Sequence, residues 1–114
     1  MREQIRDKGR LEHILSAISH IENYTTGISK ETLISSPLHL HATVYNVQII
    51  GEAVYNLSQE FKSSHPQTPW LMIEKMRHIL VHDYYKINND VLWSVITDDL
   101  QSLKMQVQEY LTEP

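Results

Sequence analysis

The residues able to do chemistry gather in one stretch, Met76-Arg77-His78-Ile79-Leu80-Val81-His82-Asp83-Tyr84-Tyr85-Lys86-Ile87. Histidine is the side chain whose ordinary pKa lets it accept and release protons near neutral pH. Arginine holds phosphate through a planar fork of donors. Together they suffice for cleavage of RNA without a metal. A base takes the proton of a 2′-hydroxyl, the oxygen attacks the adjacent phosphorus, and arginine steadies the charge that develops. Arg77 and His82 are the candidates for these roles. His78 and Asp83 are candidate supports, Asp83 either orienting His82 or capping the helix end. The plainer reading is a solvated arginine and a histidine satisfied by Asp83 or a backbone carbonyl.

Spacing limits how the pair can act. Five residues on a regular helix correspond to a rotation of about 140° and a rise of about 7.5 Å, so Arg77 and His82 do not share a face. One helix presents both to one atom only if it ends or bends between them. A two-fold dimer is the other route, with Arg77 and His82 from both copies lining one cleft. Position 82 falls near a helix C-terminus, where the dipole favours imidazolium. A competing set is Glu74, His78 and His82, at i, i+4 and i+8 on one helical face, which suits zinc or iron. His39 and His41 have no evident third ligand and read as surface. Tyr84 and Tyr85 follow the helix end, where a ring packs and leaves its hydroxyl wet, or where a hydroxyl stands beside the cleft open to modification. Trp70, Trp93 and the Met72/Met76 pair read as core or interface.

The elements that must position these residues are helical. Leu11, Ile14, Leu15, Ile18 and Ile21 predict a helix from residue 2 to about 24. Gly27 punctuates, and Ser29 caps a short helix to about Ser35. Ser36-Pro37 is a strong start signal. From it Leu40, Val44, Val47, Gly51, Val54, Leu57 and Phe61 form the clearest amphipathic stripe, predicting a helix to about residue 63. Gly51 on that stripe predicts close helix packing, because glycine is about 1 kcal/mol worse than alanine in a helix. Thr68-Pro69 repeats the start signal ahead of Trp70, Ile73, Met76 and Leu80. Asn89 is the expected cap of a last helix carrying Val91, Leu92, Val95, Ile96, Leu100, Leu103, Val107 and Leu111. The expectation is one all-α domain over residues 1–114, an antiparallel bundle of four long helices plus a short one.

Composition narrows the class. The 114 residues allow one domain and one core. Zero cysteines exclude a disulfide framework and any cysteine-ligated zinc. No apolar run approaches the roughly 18 residues that span a bilayer, and the polar first ten residues do not read as a signal segment. A soluble, cytoplasmic protein is expected. The formal net charge of −4 argues against a broadly basic nucleic-acid surface but leaves room for a local basic cleft.

Four segments in order carry a resemblance: LEHIL at 11–15, IIGEA at 49–53, HPQTPW at 65–70 and ILVHDYY at 79–85. With Arg77-His78-Ile79-Leu80-Val81-His82 they resemble the HepT family of the HEPN superfamily, toxins of toxin–antitoxin pairs. The resemblance implies an all-helical homodimer whose Arg77 and His82 form a metal-independent ribonuclease cleft, with no cofactor of its own. It also implies a partner, an MntA-type minimal nucleotidyltransferase antitoxin that uses ATP to AMPylate the motif tyrosine, here Tyr84. The chain departs from the family pattern at His78, where asparagine is usual. It departs again at Lys75, where glycine is common, and at Tyr45-Asn46, where Arg-Asn precedes IIGEA. The other function class to weigh is a non-catalytic helical dimer that binds a nucleotidyltransferase or a nucleotide.

Overall fold

The computed structural model describes residues 2–82 and 86–113; for Glu3, Gln4, Arg77 and residues 79–82 it describes the backbone alone. Helix α1 (Arg2–Thr25) buries Leu11, Ile14, Ile18 and Ile21, as the apolar spacing requires. It stops at Gly27, whose φ of 78° is the left-handed conformation that glycine adopts without a Cβ clash. Ser29 caps α2 (Lys30–Ser35) by accepting from the Thr32 amide. Ser36 does the same for α3 (Pro37–Asn56), where Pro37 fills the first turn and needs no amide partner.

The expected helix to residue 63 is two helices. Leu57 adopts extended backbone, and Ser58 caps a separate α4 (Gln59–Ser64) by accepting from the Phe61 amide. The cause is Asp7 of α1. Its carboxylate accepts the Ser58 amide at 2.8 Å and the Ser58 hydroxyl at 2.6 Å, which fastens the chain where α3 would otherwise continue. Leu57 stays buried, so the apolar stripe survives the break.

Helix α5 (Trp70–Leu80) follows, and Thr68 is not its cap: the threonine hydroxyl donates to Gln106 and bonds the Tyr110 phenol across the bundle. Two-residue strands β1 (Val81–His82) and β2 (Lys86–Ile87) pair antiparallel, Val81 with Ile87 and His82 with Lys86. The last helix starts one residue earlier than expected. Asn88, not Asn89, accepts from the Val91 amide and caps α6 (Asn89–Ser94). A π turn (Val95–Asp99) joins α6 to α7 (Leu100–Leu111) without a break in helical backbone.

Four long helical runs therefore pack together, α1, α3, α5 and α6–α7, with α4 as a second short helix beside α2. The fold is all-α apart from the small ladder. Asp7 near the start of α1 bonds Ser58 just past the end of α3, and His20 near the end of α1 meets Asn46 in the middle of α3, so these two helices run antiparallel. Bidentate Lys104–Glu22 ties α7 to α1. Gly51 packs against α5: a Cβ there would lie 3.5 Å and 3.6 Å from the Glu74 and Ile73 carbonyl oxygens. None of the described helices is long and apolar enough to cross a membrane.

One end of the bundle is closed by rings. Phe61 and Tyr110 pack on His65, which stacks on Phe61 at 4.1 Å between centroids, and Trp70 packs on Phe61 and Tyr110 in turn. Both nitrogens of His65 face acceptors, the Phe61 carbonyl and the Glu113 carboxylate, each at 2.8 Å. Only imidazolium can donate to both. Burial pulls the His65 pKa down, but the bonds to Phe61 and Glu113 outweigh it and leave the pKa raised above the ordinary 6.5. Its contribution to stability is thus complete below about pH 6.5 and is lost as pH rises through the raised value. Thermal unfolding followed from mildly acidic to alkaline pH should show this loss, and His65→Gln should flatten that part of the profile.

Candidate active-site groove

The chemistry-bearing stretch spans the end of α5. Arg77 lies in the last turn of the helix, which ends at Leu80, and His82 lies in β1. The helix therefore ends between the two residues, which removes the 140° separation that a continuous helix would impose. The side chains of Arg77 and His82, and residues Asp83 and Tyr84, lie outside the described residues. The same helix end rules out a Glu74–His78–His82 set on one helical face. Glu74 is moreover engaged by Lys62.

What holds α5 in place is a buried cation. Lys62 of α4 is 8% exposed. Its ammonium donates to the Val54 carbonyl in the last turn of α3 at 3.2 Å and to Glu74 of α5 at 2.9 Å. Carbonyls of a helix C-terminus favour a cation, and the carboxylate completes the pairing. Three helices meet on this one ammonium, a single turn before Arg77.

Beside it lies a groove of about 250 Å³ between α3 and α5, lined by Gln48, Gly51, Glu52, Tyr55, Glu74 and His78. His78 is exposed there, so the second histidine of the motif faces solvent over the α3–α5 seam. A larger groove of about 410 Å³ runs between α1 and α3 past Arg10, His13, Tyr45 and Asn56, and shares Gln48 and Glu52 with the first. The sequence singled out Tyr45 only as a departure from the family's Arg-Asn, and gave no role to Gln48, Glu52 and Tyr55. The spacing of these residues, 3, 4 and 3, was the available signal, a second face of α3 that flanks the apolar stripe. Tyr45 and Tyr55 are 62% and 71% exposed, far more than packing rings would be. The neighbouring Asn46 is buried instead, its side-chain amide donating to the Ala42 carbonyl. His39 and His41 are exposed, as expected, while Met76 is buried and Met72 is not.

A family model described as "Ribonuclease HepT-like" matches residues 14–110. The chain belongs to the HepT-like ribonuclease family. "Putative RNase TTE0752" of Caldanaerobacter subterraneus subsp. tengcongensis is 39% identical over 101 residues, covering 89% of this chain and 90% of that protein. "Probable ribonuclease HepT" of Thermococcus cleftensis is 37% identical over 97 residues, covering 85% and 88% respectively. No solved structure matches.

Removing one member of a buried, hydrogen-bonded charge pair leaves the other uncompensated. Lys62→Met should therefore destabilise the fold by about 3 kcal/mol. Adding Glu74→Gln to it should recover part of that loss. Denaturant unfolding of the single and double variants checks both.

Proposed function

We propose that this chain is the toxin of a toxin–antitoxin pair, a metal-independent endoribonuclease working at a cleft between two copies through Arg77 and His82. The observation that carries the reading is the end of α5 at Leu80, between the arginine and the histidine. It frees His82 from the helical register, so that base and phosphate-binding group can meet at one scissile bond. Membership of the HepT-like ribonuclease family supports the same reaction class.

In this mechanism His82 of one copy takes the proton of the 2′-hydroxyl. The resulting oxygen attacks the adjacent phosphorus, and the bond to the 5′-oxygen breaks. The His82 of the other copy, entering as imidazolium, gives that oxygen a proton, leaving a 2′,3′-cyclic phosphate and a 5′-hydroxyl. Arg77 holds the non-bridging oxygens as charge accumulates. His78, open to solvent in the α3–α5 groove, is a further phosphate or base contact, and Asp83 orients His82. No cofactor is required.

Control falls to Tyr84. In this reading an MntA-type nucleotidyltransferase antitoxin transfers AMP from ATP to its hydroxyl. The added phosphate competes for Arg77 and repels the RNA backbone, which silences the cleft.

The test is cleavage of cellular RNA in excess EDTA by protein expressed without its partner, its intact mass showing Tyr84 unmodified. Wild type should cut, and His82→Ala should lose on the order of a hundredfold or more. A folded, unmodified dimer that leaves RNA intact would sink the nuclease reading in favour of a binding module. Incubated with the partner and ATP, wild type should gain the mass of AMP and lose activity. Tyr84→Phe should do neither.

A further inference from the structure

Four of the ten lysines and arginines lie in the first ten residues, an uneven distribution for a chain of net charge −4. Arg2, Arg6, Arg10 and His13 fall at i, i+4, i+8 and i+11 on α1, so they share one face of the helix. Among the described residues no acid pairs with the three guanidiniums. Three acids are interspersed in this run, Glu3, Asp7 and Glu12; Asp7 points inward to Ser58 and is not part of the stripe. The stripe leads into the 410 Å³ groove between α1 and α3. There the Tyr45 ring stands exposed, with no aromatic partner among the described residues. That groove continues through Gln48 and Glu52 into the smaller one where His78 lies, next in sequence to Arg77.

Cations without an acid partner among the described residues, an open aromatic face and side-chain amides are the elements of a single-stranded nucleic-acid site. We propose that the α1–α3 groove is a nucleotide subsite for the RNA flanking the scissile bond, an inference that rests on the ribonuclease reading above. The backbone follows the α1 stripe, and Arg10 takes one phosphate. One base stacks on Tyr45, with Gln48 and Asn56 beside its edge. Glu52 accepts from an exocyclic amino group and keeps phosphate to the α1 side. The groove thus selects unpaired RNA, since a base locked in a duplex cannot present its face to Tyr45. A second copy is a poorer occupant, because an isologous contact across this face sets the basic stripe close to its own image.

The experiment measures binding of fluorescent oligouridylate and oligoadenylate in EDTA by full-length His82→Ala protein, which holds RNA without cutting it. Oligomeric state is followed in parallel by light scattering. Adding Tyr45→Ala should weaken binding roughly tenfold, and Tyr45→Phe should restore most of it. Arg10→Ala should weaken binding and reduce the dependence of log affinity on log salt by about one phosphate. Unchanged binding in both Tyr45→Ala and Arg10→Ala overturns the subsite, whether or not wild type cuts RNA. So does a Tyr45→Ala protein that binds weakly only because its copies separate, since the face is then an interface between copies. If these variants lose binding while wild-type protein fails to cleave, the subsite stands and the nuclease reading falls. If wild type cleaves and the variants bind and cleave as well as their parents, the reverse holds.

Discussion

The Lys62 ammonium is the point on which the arrangement of this protein turns. A buried cation must find acceptors, and the two that Lys62 finds belong to different helices: the Val54 carbonyl near the end of α3 and the Glu74 carboxylate on α5. Since Lys62 itself sits on α4, its charge can be satisfied only when three helices are in one relative position. Apolar packing alone tolerates sliding and exchange among similar side chains. A buried charge does not, so the pair sets the register of α5 against α3. All that lies downstream on α5, including His78 and Arg77, inherits that register.

Short polar contacts prepare the site for this cation. Asp7 grips Ser58, which ends α3 after Asn56 and turns the chain into α4. Without that turn Lys62 would continue along α3, away from the α3 carbonyls it now caps. Gly51 then faces the α5 backbone, where an added Cβ would meet the Glu74 carbonyl at ordinary contact distance. The α3–α5 groove is the outer edge of this close approach, which is why it is lined by Gly51 and Glu74 as well as by His78.

An acidic member of a ribonuclease family has to concentrate its positive charge if it is to meet RNA. Here Lys62, Lys104 and Lys30 are occupied by Glu74, Glu22 and Asp90. The arginines of α1 remain without an acid among the described residues, and Arg10 lines the same groove as the open Tyr45 of α3. Net charge governs long-range attraction, but local charge governs docking. A formal −4 is therefore compatible with a basic track one helix wide.

Most of the helices could be read from the sequence because their signals are local. Ser29, Ser36 and Pro37 act within one turn, and the stripes of α1, α3 and α7 bury most of the residues their spacing selects. The motif was legible for the same reason, since Arg77, His82 and their flanking segments are a linear pattern that places the chain in the HepT-like family. What could not be read depended on partners distant in the chain. The break at Leu57 needs Asp7, fifty residues away; Thr68 forgoes its capping role because Tyr110 and Gln106 claim its hydroxyl. Lys62 looked like a surface lysine until α3 and α5 surrounded it. Tyr45, Gln48 and Glu52 gained meaning only when α1 brought Arg10 and His13 alongside. Sequence by itself determined the helices, the reactive residue types and the family. Tertiary structure decided where helices stop, which charges are buried, and which exposed rings share a groove, because each of these is settled by contacts between residues that the chain order keeps apart.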